Sequence, residues 1–168
     1  MPLRSRTKLR SRSTEPLSPD QAYQYVLRLL TGRDYTVAGI CRKLAARGVD
    51  EHDAETVINR IQREGWLDDS RYAERFAASA VSSGRYYGAR LRLEMRRRGF
   101  PADVVNDVLT PLLAESDEIS EVRSAVERRY SGFSYAVASD RDKRRVVGFL
   151  QRRGFGFSAI MQALRAEA

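Results

Sequence analysis

The chain has 168 residues, with 30 basic side chains against 22 acidic ones and a formal net charge of +8. That length supports one ordinary hydrophobic core. No apolar run approaches the roughly 20 residues of a membrane span, and the single cysteine, Cys41, excludes an internal disulfide.

The amino end is basic and has no apolar stretch, so no secretory leader is expected and the chain reads as cytoplasmic. Residues 1–18 hold five basic side chains and one acidic, half of the whole excess. Arg4, Arg6, Lys8, Arg10 and Arg12 alternate there with Ser, Thr and Leu. A segment so poor in apolar residues is expected to be disordered. It reads either as a nucleic-acid-contacting arm or as a solubilising extension.

Residues 19–67 are charge-balanced and read as a first repeat of three helices. A helix over 19–30 carries Tyr23, Val26, Leu27 and Leu30 on one face. A second carries Ile40 and Leu44 four apart and stops at Arg47-Gly48. A third starts at Asp50-Glu51 and carries Ala54, Val57, Ile58 and Ile61. Cys41, next to the core-facing Ile40, is expected to be a small buried or half-buried filler. His52 lies in the acidic first turn of the third helix without a companion at metal-ligand spacing, so an exposed helix histidine is expected.

The same pattern returns over 68–115 and again over 116–168. The phrase Leu44-Ala45-Ala46-Arg47-Gly48-Val49 becomes Met95-Arg96-Arg97-Arg98-Gly99-Phe100 and then Leu150-Gln151-Arg152-Arg153-Gly154-Phe155. Before each glycine, Ile40, Leu91 and Val146 stand at one offset. After it, Ala54, Val105 and Ile160 share a second offset, and Ile58, Leu109 and Leu164 a third. One supersecondary unit has been used three times. The Arg-Gly pair is most simply a helix stop, because glycine tolerates a left-handed backbone and a cation suits the negative end of the helix dipole.

Leading helices are expected over 70–83 and 118–130, and closing helices from 101–103 and from Ser158. The segment 133–138 alternates weakly and is read as a loop or a helix extension. No strand is expected. Repeats of this size are near the lower limit for independent folding, so they should lean on one another, as a compact bundle or as an elongated, curved array.

Nothing in the chain calls for a catalytic centre, a cofactor or a metal. There is no Walker-type phosphate loop. Asp68-Asp69, ahead of Ser70-Arg71-Tyr72-Ala73, reads as a helix cap rather than a catalytic carboxylate pair.

The informative side chains are arginines. On a helix over 88–98, Arg92 and Arg96 form one stripe, extended by Arg85, while Arg90 and Arg97 form another. Arg145 and Arg152 occupy the same offsets from the third glycine as Arg90 and Arg97 do from the second, and Arg144 broadens that patch. The first repeat has Gly39 and Ala46 at these positions. A capping need would apply to every copy, so a pair present in two copies marks a candidate partner or DNA surface. The plain alternative is a solvated helix face. Tyr86-Tyr87, beside the patch, either stack on a base or pack between repeats, with packing the expectation.

The run Gly65-Trp66-Leu67-Asp68-Asp69-Ser70-Arg71-Tyr72-Ala73, followed by Arg90-Leu91-Arg92-Leu93-Glu94-Met95, resembles the signature of the RecX family of recombination regulators. The likeness covers about residues 20–166. Where the family often has Gly-Pro before the second stretch, this chain has Tyr87-Gly88. The resemblance implies an all-α, elongated and curved array of three tandem three-helix repeats. It also implies a modulator of the RecA filament on single-stranded DNA. The chain is expected to be non-enzymatic and monomeric, with single-stranded DNA reached directly or through RecA and duplex DNA left open as a further ligand. The alternative expectation is a stand-alone helical DNA-binding protein acting without RecA. Proteins of the RecX kind mainly inhibit RecA ATP hydrolysis, strand exchange and co-protease activity. In that setting Gly65, Trp66, Leu67, Asp68, Asp69, Arg71 and Tyr72 are expected to be structural.

Overall fold

A computed structural model describes residues 16–166. The described residues form nine helices and no strand. The first unit is α1 (Pro19–Gly32), α2 (Val37–Ala45) and α3 (Glu51–Arg63). The second is α4 (Asp69–Ser82), α5 (Gly88–Arg98) and α6 (Ala102–Glu115). The third is α7 (Glu118–Arg129), α8 (Asp140–Arg153) and α9 (Phe157–Arg165). In every unit the third helix packs against both of the others.

Local chemistry sets most helix starts. Ser18, Thr36, Asp50, Asp68, Asp117 and Ser139 each accept a backbone N–H of the first turn that follows them. At Ser18 the bond is reciprocal, because the Gln21 side chain returns to the Ser18 N–H. Ser158 is not a cap. Helix α9 begins one residue earlier behind Gly156, whose N–H donates to Glu118 Oε1 at 2.7 Å. No side chain caps the first turn of α9; the Glu118 carboxylate, from another helix, instead holds the residue that precedes it.

The offsets that define the repeat are core positions. Ile40, Leu91 and Val146 are buried, and so are Leu44, Met95 and Leu150 one turn on. Ile58, Leu109 and Leu164 meet them from the third helices, and each such burial is worth about 1.5–3 kcal/mol. Two cores result. Repeat one has its own, closed by Leu67. Repeats two and three share a single core running from Ala73 to Leu164.

Two expectations need correction. Cys41 is exposed, because one step along α2 from Ile40 turns the side chain out of the core. The end of the anticipated tail is ordered into the first repeat. Ser18 caps α1, Leu17 packs on the first core, and Pro16 lies against Gly48. The remainder of that tail, residues 1–15, lies outside the described residues. The segment 133–138 is a series of turns leading to the Ser139 cap.

Candidate partner and nucleic-acid interface

The junctions between repeats decide which cations face outward. At the second junction the Tyr87 N–H donates to the Arg153 carbonyl at 2.8 Å. The Tyr87 ring stacks on Phe155 with centroids 4.9 Å apart, and its hydroxyl pairs with Ser116 at 2.7 Å. Burial pushes the Tyr87 phenol pKa up, opposed by the Ser116 hydrogen bond. The expectation that this aromatic packs between repeats therefore holds for Tyr87. The Arg153 guanidinium turns back to the carbonyls of Gly84 and Arg85.

At the first junction the Thr36 hydroxyl donates to the Arg98 carbonyl at 2.9 Å, and the Asp69 carboxylate accepts the Val37 N–H at 2.9 Å. Asp69 is half-buried, and that burial raises its pKa against the lowering effect of the Val37 bond. Asp68 caps α4 through the Arg71 N–H, and the Arg71 guanidinium donates to the Gly65 carbonyl at 2.8 Å. Leu67 enters the first core, while Tyr72 packs on Phe100 of the second repeat. Among the large apolar side chains of this run, Trp66 alone stands out in solvent. Both carboxylates of Asp68-Asp69 are thus engaged by backbone N–H groups.

These contacts divide the expected arginines. Arg90 lies at the second junction, with its side chain 37% exposed. Its guanidinium pairs with Glu94 at 2.6 Å, its Nε is buried, and its Cβ lies under Gly154. Arg97 shares the same Glu94 at 3.4 Å but remains largely exposed. Arg92 is half-buried and donates to Asn106 on α6. Arg85, Arg96, Arg144, Arg145 and Arg152 are not buried, and no carboxylate pairs with them among the described residues.

The correspondence of Arg90/Arg97 with Arg145/Arg152 is one of position and not of environment. The residue equivalent to Glu94 in the third repeat is Phe149, which packs edge-on against Tyr130. The third-repeat pair accordingly has no anion at that register, and Arg145 opens onto a small hollow with Tyr130, Phe133 and Asp142.

A second cationic feature escaped the sequence reading. Arg33, Arg42, Lys43 and Arg98 line a cleft of about 730 Å³ between the first two repeats. Three come from the first repeat, from the α1–α2 loop and α2, and Arg98 comes from the end of α5, so the cluster is completed only across the junction. Their common signal is indirect: the cleft floor includes Gly39 and Ala46, the two positions where the other repeats carry arginine.

Models of the RecX first, second and third three-helix domains match residues 22–60, 68–109 and 116–164. The chain belongs to the RecX family. It is 46% identical over 144 residues to the regulatory protein RecX of Trichlorobacter lovleyi, covering 86% of this chain and 94% of that one. It is 37% identical over 146 residues to the regulatory protein RecX of Thermus thermophilus, covering 86% and 91%. The crystal structure of RecX from Lactobacillus salivarius superposes with a TM-score of 0.67 at 18% identity, over 88% of this chain and 95% of that one. That likeness supports the fold. Among the described residues of this RecX chain no group of His, Cys, Asp and Glu is arranged to hold a metal, and no helix is long and apolar enough to cross a membrane.

Proposed function

We propose that this RecX-family chain is a non-enzymatic, cytoplasmic regulator that binds the RecA filament on single-stranded DNA and lowers its ATP hydrolysis, strand exchange and co-protease activity. The observation that carries the reading is the row of cations Arg144, Arg145 and Arg152, free of carboxylate partners, on one helix of a repeat array, in a family whose members are named regulatory proteins. Such cations meet either an acidic protein groove or the phosphates of bound DNA, and neither requires a reaction centre. Arg96 and Arg97 add to the surface from α5. Arg90 and Arg92, already engaged by Glu94 and Asn106, are left out of it.

The test is RecA ATP hydrolysis on single-stranded DNA with the chain added at two salt concentrations. Inhibition is expected, and it should be weaker for a variant combining Arg144→Ala, Arg145→Ala and Arg152→Ala. No effect of the parent chain on RecA would end the reading, and an unweakened variant would end the part played by α8.

A further inference from the structure

We infer that the cleft between the first and second repeats is a second binding site, which takes single-stranded nucleic acid. It lies apart from the α8 arginines on which the filament reading rests, so either can fail while the other stands.

Four cations converge on this cleft: Arg33, Arg42, Lys43 and Arg98. None has a carboxylate partner among the described residues. The one carboxylate in the wall, Asp34, is already held by Arg75 at 2.7 Å. Like charges gathered around an open space repel one another, and an anionic ligand relieves that repulsion.

The space is a consequence of the first repeat's own sequence. At the second junction the position equivalent to Gly39 is Arg90, whose side chain fills the contact beneath Gly154. At the first junction Gly39 and Ala46 carry no long side chain, and they line the cleft together with Arg42 and Lys43. The cations of this cleft stand at neighbouring positions instead, around a space of about 730 Å³.

The rings in the wall favour nucleic acid over an acidic peptide. Tyr35 lines the cleft with the Arg33 guanidinium over one face at 4.6 Å, and this pair is the stacking group on offer, because Tyr72, which also lines the cleft, is packed on Phe100. A guanidinium and a ring facing a cationic channel offer stacking for bases and contacts for phosphates, as in sequence-tolerant single-strand binders. An acidic peptide would use the charges and leave the rings idle.

The test uses the full chain, without RecA, and a fluorescein-labelled oligothymidylate read by anisotropy over a salt series. Replacing Arg33, Arg42 and Lys43 by Ala, all outward-facing positions, removes up to three phosphate contacts. It should weaken binding about tenfold or more and flatten the slope of log affinity against log salt by about 2. Ala46→Phe, which fills the floor and keeps every charge, should also weaken binding. An abasic strand of the same length should compete less well than oligothymidylate. Parental affinity and salt slope in the triple variant would overturn the assignment, as would parental affinity in Ala46→Phe. A polyglutamate peptide that competed as well as oligothymidylate would transfer the cleft to an acidic protein partner and overturn it too.

Discussion

The Tyr87 N–H donates to the Arg153 carbonyl at 2.8 Å, which ties the last residue of α8 to the residue that precedes α5. Thr36, at the matching offset in the first repeat, donates its hydroxyl to the Arg98 carbonyl at 2.9 Å. In both junctions the acceptor belongs to the arginine of an Arg-Gly pair, and the donor belongs to the residue that opens the preceding repeat's second helix. Arg-Gly is therefore both a helix stop and the fastening between repeats. The left-handed glycine lets one backbone approach the next, and the carbonyl before it makes the bond.

That relationship sets the cost of adding a methyl group. At Gly154, with φ +103, a Cβ would fall on the Tyr87 carbonyl oxygen and lie 2.6 Å from the Arg90 Cβ. Backbone cannot move aside cheaply there. Gly154→Ala should cost more than about 3 kcal/mol in urea unfolding, because overpacking adds to the left-handed backbone penalty. Gly132, with φ +75, has nothing within 4 Å of the same added atom. Gly132→Ala should therefore lose only the backbone term, about 1–2 kcal/mol.

Asp69 offers a pH-dependent probe of the first junction. Burial raises its folded pKa, so the folded chain holds that proton more tightly than the unfolded one. Its titration therefore favours folding at low pH, and the advantage fades as pH rises from the ordinary aspartate value through the raised one. Asp69→Asn keeps an acceptor for the Val37 N–H and cannot ionise. The variant should gain stability relative to the parent as pH rises through that window, then hold a constant difference. Asp69→Ala strands a half-buried N–H and should cost about 1–3 kcal/mol at neutral pH. Thermal melts across a pH series read both effects.

The fold was legible because its signal is periodic and internally repeated. Ile40, Leu91 and Val146 share an offset and an environment, so three copies reinforce one inference. The site was less legible because charge repeats without telling what faces it. Arg90 and Arg145 are equivalent in sequence, yet one meets Glu94 and the other has Phe149 at that register. The cleft cations Arg33 and Arg42 belong to the first repeat and Arg98 to the second, so the cluster is complete only once the two repeats have docked. Cys41 shows the limit at the smallest scale, since one residue of helix rotation separates core from solvent.

Trp66 and Leu67 are neighbours with opposite fates. Trp66 is 60% exposed, whereas Leu67 is 3% exposed and closes the first core. As the chain's single tryptophan, Trp66 should show solvent-like emission and ready quenching by acrylamide. Trp66→Ala should change stability by no more than about 0.5 kcal/mol, whereas Leu67→Ala should cost about 2–5 kcal/mol. Urea denaturation followed by circular dichroism separates them without relying on the tryptophan itself.

Arg90 and Arg145 give the sharpest separation of scaffold from surface. Truncating Arg90 to Ala keeps the Cβ that lies against Gly154 but removes the guanidinium, which leaves the largely buried Glu94 with only its 3.4 Å contact to Arg97. Arg90→Ala should therefore lower stability by about 1–3 kcal/mol, through an under-compensated carboxylate. Any effect on RecA inhibition should follow the loss of folded protein. Arg145 has no such partners, so Arg145→Ala should leave the melt within about 0.5 kcal/mol of the parent. Its loss should appear instead as weaker inhibition of RecA ATP hydrolysis at moderate salt, with the difference shrinking as added salt screens the contact. Equal melting losses in the two variants would mean that α8 carries its arginines for structure, as α5 carries Arg90.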